Sequence, residues 1–310
     1  MSSFSTILGL NLLSGGKFRI GLTNYQQMIL SATFPYFEQN IGQHCIEAMY
    51  CTKICEQIKW KHLSIDMYDA QMDTFGYIMD ELSKNNSYGD GINIGEYINV
   101  PMLYKPHLEE LQTKYFALRQ NLKDRAKDII KAHKKKLGRN PDAIIGIHGR
   151  YTDYDGHLIL RGRQLIGTKF YRKAIKYFRE KYEHPLFLVT SDAEGKAKAF
   201  IVNSEKEKGD IFFAGTISQA KDEKITAQES VGIDLALLSM CDHLIISHGT
   251  FGLWGAFLAS TNNTHIMAHD MKKSQSGSYN PLNRFSQQEV EEIRAVKKAN
   301  LTNFIFMDDI

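Results

Sequence analysis

The chain has 310 residues, 43% of them hydrophobic and 24% charged. That is the balance of an ordinary globular protein, with room for two domains or one large α/β domain. A net charge of +3 is too small to argue for nucleic acid or for an electrostatic hold on a membrane surface.

No run approaches the ~18 consecutive apolar residues of a membrane span. Residues 7 to 13 are short, are interrupted by Asn11, and lack the basic flank and small-residue cleavage site of a signal peptide. Taken as written, the chain reads as soluble, although an upstream anchor stays open. Residues 42–60 read as a helix, and the Asn-, Gly- and Ser-rich stretch from Asn85 to Gly95 reads as a loop. The four cysteines are Cys45, Cys51, Cys55 and Cys241. No His or Cys pair completes zinc-finger spacing around them, so no metal site is expected, while a single disulfide stays open. Asn85, Asn262 and Asn300 head Asn-x-Ser/Thr triplets, about as many as chance supplies. A second helix is expected over 107–136, from Leu108, Leu111, Tyr115, Leu118 and Leu122. Its basic end, Lys131, Lys134, Lys135, Lys136 and Arg139, suits the C-terminus of a helix dipole. Gly138 and Asn140-Pro141 then mark a boundary. On it the chain divides into residues 1–140, largely helical, and residues 141–310.

The second part has a regular rhythm. A buried strand is expected at 143–148, then a helix from Phe170, Ala174, Tyr177 and Phe178. Pro185 to Thr190 reads as a buried parallel strand, and Asp192 could cap a helix that runs to about Val202. Ile211–Phe213 is a third strand. A helix at 228–240, with Val231, Leu235 and Leu238 on one face, leads to a strand at 243–247 and another at 264–267. Strands alternating with helices imply βαβ units, a parallel sheet and right-handed crossovers.

Polar clusters stand at three strand ends: His148/Arg150/Asp153, Ser191/Asp192 and Ser247-His248-Gly249-Thr250. In open α/β sheets, ligands bind beyond the carboxyl ends of strands. A guanidinium there matches phosphate oxygens, and a glycine turn leading into a helix offers backbone amides to an anion. Each feature alone is weak. A strand end can simply meet solvent, and Gly249 and Gly252 could equally serve close helix–strand packing. Phe251, Trp254 and Phe257 read as core.

Together these residues resemble the α-1,2-fucosyltransferase family, glycosyltransferase family 11. Its His-x-Arg-Arg-x-Asp motif stands here as His148-Gly-Arg150-Tyr-Thr-Asp153, its Ser-Asp as Ser191-Asp192, and its Gly-Thr-Phe-Gly-x-Trp segment as Gly249-Thr250-Phe251-Gly-Leu-Trp254-Gly-Ala256-Phe-Leu258. Asp234 to Asp242 leads into the last of these, and the resemblance covers roughly residues 90 to 270. Two departures stand out. Tyr151 replaces the second arginine, and Gly15-Gly-Lys-Phe-Arg19 only faintly echoes the amino-terminal segment.

The resemblance implies an α/β, GT-B-like fold of two lobes, with 1–140 on the acceptor side and a Rossmann-like parallel sheet in 141–310 holding the donor. It implies an inverting transfer of L-fucose from GDP-fucose to the 2-hydroxyl of a terminal galactoside, with no cofactor and no metal. On it, Arg150 neutralises the leaving diphosphate, supported by Thr250 and the turn amides. His148 orients Arg150 or donates to phosphate. Asp153 is a base or an orienter of Arg150, and Glu96 is a second candidate base. Ser191, Asp192, Ser247, His248, Gly249 and Phe251 complete the donor site, and Asp192 and Asp234 read guanine or ribose, or cap helices. Animal members of the family imply a Golgi membrane location through an anchor not seen in this chain. Tyr151 keeps an alternative open, a GDP-sugar-binding protein without turnover.

Overall fold

The computed structural model describes residues 24–39, 60–62, 91–93, 100–153, 166–247, 249–261, 263–269 and 303–307, with single positions at 1, 5, 8, 9, 12, 80 and 296. The chain forms two compact units, Met1–Ala117 with Arg284–Leu301, and Leu118–Asn283 with Thr302–Ile310. The expected helix at 42–60 lies outside the described residues except at Trp60, as do Cys45, Cys51, Cys55, Glu96, His248 and the leading asparagines of all three glycosylation triplets, Asn85, Asn262 and Asn300.

In the first unit, helix α1 (Asn24–Thr33) stops two residues before Pro35, and α2 (Tyr36–Gln39) follows. Strand β1 (Trp60–His62) pairs in parallel with β2 (Gly91–Asn93). The stretch read as a loop therefore contains a strand, because pairing across the chain overrode its local composition. Helix α3 (Pro101–Tyr104) begins on a proline, where a missing amide costs nothing. The single helix expected over 107–136 is broken. A 3-10 turn (Lys105–His107), one α turn (Leu108–Glu110) and a π turn (Leu111–Tyr115) lead to Phe116, which leaves helical backbone at φ −110° and ψ 25°. The break lets Phe116 enter an aromatic core, with ring centroids 5.1 Å from Phe34 and 5.8 Å from Phe37.

Helix α4 (Gln120–Leu137) opens the second unit and ends at Gly138 in left-handed backbone, φ 74°, with its basic last turn at the carbonyl end of the dipole. The units therefore divide at Ala117/Leu118 and not near residue 140, because α4 packs on a helix of the sheet unit, α8 (below). Six strands follow: β3 (Ala143–Gly149), β4 (Pro185–Ser191), β5 (Ile211–Phe213), β6 (His243–Ile246), β7 (Ile266–His269) and β8 (Phe304–Met307). All pair in parallel, in the order β5-β4-β3-β6-β7-β8. Counted within the unit this is 3-2-1-4-5-6, the Rossmann order, which reverses between β3 and β6. Helices α5 (Thr168–Lys181), α6 (Glu194–Ala197), α7 (Ile217–Lys221), α8 (Ala227–Ser239) and α9 (Thr250–Ala259) lie in the crossovers. The alternating pattern in the sequence predicted this sheet, but not the edge strand β8.

Strand pleating divides the core. Ala143, Ile145 and Ile147 share one cluster with Phe170, Ala174, Ile175 and Phe178 of α5. On the opposite face, a Cβ at Gly146 would lie 3.0 Å from Cys241 Sγ and from Leu238. There α8 packs against both α4 and α9. It is buried on nearly every side, and Val231, expected inside with Leu235 and Leu238, stays 48% exposed. Among the described residues, no helix is long and apolar enough to cross a membrane.

Candidate active site

The reversal point brings together the ends of β3 and β6, and β4 flanks them. His148 falls on the pleat that faces α9 and is 3% exposed. A Cβ at Gly252, in the first turn of α9, would come within 2.8 Å of its Nδ1, so only glycine allows this approach. The imidazole lies 5.0 Å from the Phe251 ring, and its Nδ1 has no hydrogen-bond partner. Burial, aided by Arg150 and opposed by Asp192, pushes its pKa down to about 4. His148 is therefore neutral at pH 7, with one nitrogen unsatisfied beside a helix N-terminus.

Ser247 joins the two strand ends. Its amide donates to His148 O at 3.2 Å, and its Oγ accepts from the amide of Arg150 at 3.0 Å. Gly249 caps α9 at φ 85°, a conformation that disfavours any side chain. Thr250 and Phe251 then open a ten-residue helix whose first amides lack intrahelical partners and sit at the positive end of the dipole.

The Arg150 guanidinium lies between two carboxylates. Nη2 pairs with Asp153 Oδ1 at 2.8 Å, and Nη1 pairs with Asp192 Oδ2 at 3.1 Å. Asp153 is largely exposed, whereas Asp192 is mostly enclosed. Oδ1 of Asp192 accepts from the Tyr151 amide at 2.9 Å, and Oδ2 accepts from the Thr152 hydroxyl at 2.5 Å and its amide at 3.2 Å. Burial alone would raise the Asp192 pKa. The Thr152 hydroxyl, the two amides and Arg150 outweigh it and hold the carboxyl below its usual range.

Of the expected residues, His148, Arg150, Asp153, Ser191, Asp192 and Ser247 are linked at one place, with changes of detail. Asp192 does not cap the next helix. Its Ncap is Ala193 with no side-chain cap bond, and Ser191 Oγ accepts from the Ala193 amide at 3.0 Å. Asp234 sits inside α8, whose cap is a Thr226/Glu229 capping box. Its Oδ1 accepts from the Thr216 amide and hydroxyl, both at 2.9 Å, and burial pushes its pKa up to about 7. Tyr151 carries its ring into the core, 1% exposed and 5.8 Å from Phe200. Two site residues were not foreseen as such. Thr152 gave no signal, while the Gly252 contact was visible only as one of two uses for a glycine. Among the described residues, no group of three or more His, Cys, Asp or Glu could hold a metal ion.

Comparison with known proteins adds a family. The model of the family described as Glycosyl transferase family 11 matches residues 46–286. The curated galactoside alpha-(1,2)-fucosyltransferase 1 of Lagothrix lagotricha is 32% identical over 171 residues, covering 54% of this chain and 43% of that protein. Its counterpart in Leontocebus fuscicollis is 31% identical over 173 residues, covering 54% and 44%. The chain thus spans less than half the length of the curated relatives it matches. A solved structure titled "Crystal structure of NodZ alpha-1,6-fucosyltransferase co-crystallized with GDP" aligns at TM-score 0.46 and 15% identity, covering 83% of this chain and 87% of that one.

Proposed function

This chain belongs to glycosyl transferase family 11, and we propose that it transfers L-fucose from GDP-fucose to the 2-hydroxyl of a terminal galactoside, with inversion at the anomeric carbon. One observation carries the proposal. A guanidinium stands at the reversal point of a Rossmann-ordered sheet, tied through its own amide to the segment that enters α9. As the bond from the fucose carbon to the diphosphate breaks, its electrons pass to the phosphate oxygen. Donors already aimed at that charge lower the barrier. Arg150 supplies them when Asp153 swings off Nη2. An exposed ion pair of this kind costs only about 0–1 kcal/mol to open. The amides of the first turn of α9 and the Thr250 hydroxyl add donors, and neutral His148 offers its unsatisfied nitrogen. Asp153, released from Arg150, takes the acceptor hydroxyl proton. On this assignment protein donors, not a metal ion, neutralise GDP. The proposal extends to a Golgi location.

The alternative, a GDP-sugar-binding protein without turnover, drew on Tyr151. That ring lies in the core, and Arg150 still supplies a cation at the site. The test is GDP release from GDP-fucose, with and without galactosides, in wild type and Arg150→Ala. The expected result is galactoside-dependent release in wild type and none in Arg150→Ala, with unchanged melting. Normal turnover in a well-folded Arg150→Ala protein would remove the diphosphate role. Tight donor binding without release in wild type would favour the alternative.

A further inference from the structure

We propose that Asp192 is a positioning residue, whose carboxylate fixes the Arg150 guanidinium and the turn that carries it without touching the nucleotide. The inference rests on the assignment of Arg150 to the diphosphate. It gives Asp192 a different task from reading guanine or ribose.

The carboxylate is already fully engaged by the protein. Oδ1 accepts from the Tyr151 amide at 2.9 Å and the Ser191 hydroxyl at 3.4 Å. Oδ2 accepts from the Thr152 hydroxyl at 2.5 Å, the Thr152 amide at 3.2 Å and Arg150 Nη1 at 3.1 Å. An ionised carboxylate offers about four lone-pair sites, and five donors compete for them. Four of the five come from three consecutive residues, 150 to 152, on the neighbouring strand end. Asp192 thus closes a staple from the end of β4 to the loop after β3.

The two acids beside Arg150 differ in how they are held. Asp153 lies three residues along the same loop, 65% exposed at its side chain, while Asp192 comes from another strand and is 17% exposed. Asp153 can leave. Asp192 is pinned by two backbone amides and cannot follow. When phosphate takes Nη2, Nη1 stays on Asp192. The long arginine side chain is then ordered before the donor arrives, and its rotamer entropy is not lost on binding.

The test compares GDP with guanosine. Wild type, Asp192→Asn, Thr152→Val, Arg150→Ala and the double variant Asp192→Asn/Arg150→Ala are titrated with GDP by calorimetry and with guanosine by ligand-observed NMR. Asp192→Asn is expected to weaken GDP about ten- to a hundredfold, the range for a hydrogen bond to a charged group, and to leave guanosine unchanged. Thr152→Val, which keeps the carboxylate and carries the test if Asp192→Asn fails to fold, should weaken GDP about threefold or more. In the Arg150→Ala background, Asp192→Asn should add less than about twofold, since both act through one guanidinium. Lost guanosine affinity in either single variant overturns the proposal, because the carboxylate would then serve the nucleoside. So does a full additional loss in the double variant. A wild type that binds neither probe removes the donor assignment instead. Arginine side-chain NMR then decides this proposal alone, and an Arg150 as ordered in Asp192→Asn or Thr152→Val as in wild type overturns it.

Discussion

Tyr151 sits one residue past a guanidinium and two before a carboxylate, yet its side chain belongs to the core. Its ring packs near Phe200 and its buried hydroxyl makes no well-formed hydrogen bond, while burial first, and the nearby Tyr171 second, push its pKa up. Tyr151→Phe should therefore leave GDP affinity and transfer rate within about twofold and leave melting unchanged or raised, since removing a poorly satisfied buried hydroxyl is near neutral. A large fall in kcat with normal melting would move Tyr151 into the chemistry. Thr250 makes the opposite case, a half-exposed hydroxyl in the first turn of α9. Thr250→Val should weaken GDP by about 1 kcal/mol, roughly fivefold, if the hydroxyl meets phosphate. Unchanged affinity in calorimetry would remove that contact. Motif order in the sequence singled out the charged residues of the candidate site. It could not show which way Tyr151 points, because a residue leaving a strand can turn to either face.

Elements were legible where their signal was local and long. The strands β3, β4 and β6, and the helix entered through Gly249, follow from apolar runs ended by polar or glycine residues. The break at Phe116 was not legible, because apolar spacing continues across it and only the aromatic partners Phe34 and Phe37 decide it. Strands β2 and β8 escaped for the same reason, being three and four residues that exist through their pairing. The seating of α9 on β3 turns on Gly252. In Gly252→Ala the new methyl would lie 2.8 Å from His148 Nδ1 and 3.4 Å from the Ile246 Cβ, so the helix or the buried imidazole must shift. Stability should fall by about 1–3 kcal/mol in urea unfolding, with weaker GDP binding if α9 yields, because its first-turn amides then move. Unchanged values for both would show that the contact relaxes without moving α9.

At the scale of the molecule, buried ionisable groups set the response to acid. Burial pushes His148 and His243 down to about 4, helped by Arg150 at the first and by His265 and Lys181 at the second. His133 and His265 are lowered as well. Unfolded imidazoles take a proton near pH 6.5, so this stability is present above that pH and is lost as pH falls toward 4. Asp234 acts in the opposite sense. Its carboxyl, raised to about 7, adds stability that is full below about 3.9 and is lost as pH rises through 7. Midway between pH 6.5 and 4 the unfolded chain thus holds about two protons on the imidazoles of His148 and His243, against about one on Asp234 in the folded chain. Unfolding free energy should fall by about 1 kcal/mol or more per pH unit there. Asp234→Asn should roughly double that slope, and urea titrations from pH 7.5 to 4.5 would show it. An unchanged slope would mean that Asp234 is ionised in the fold. Periodicity and motif order are local properties of the chain, and they were enough for the α/β class, the parallel sheet and the three polar strand ends. The Rossmann strand order, the unit boundary before α4, and the separate fates of Asp153 and Asp192 beside one guanidinium emerged with the folded chain. Those depend on which distant segments pair and what each pairing leaves buried.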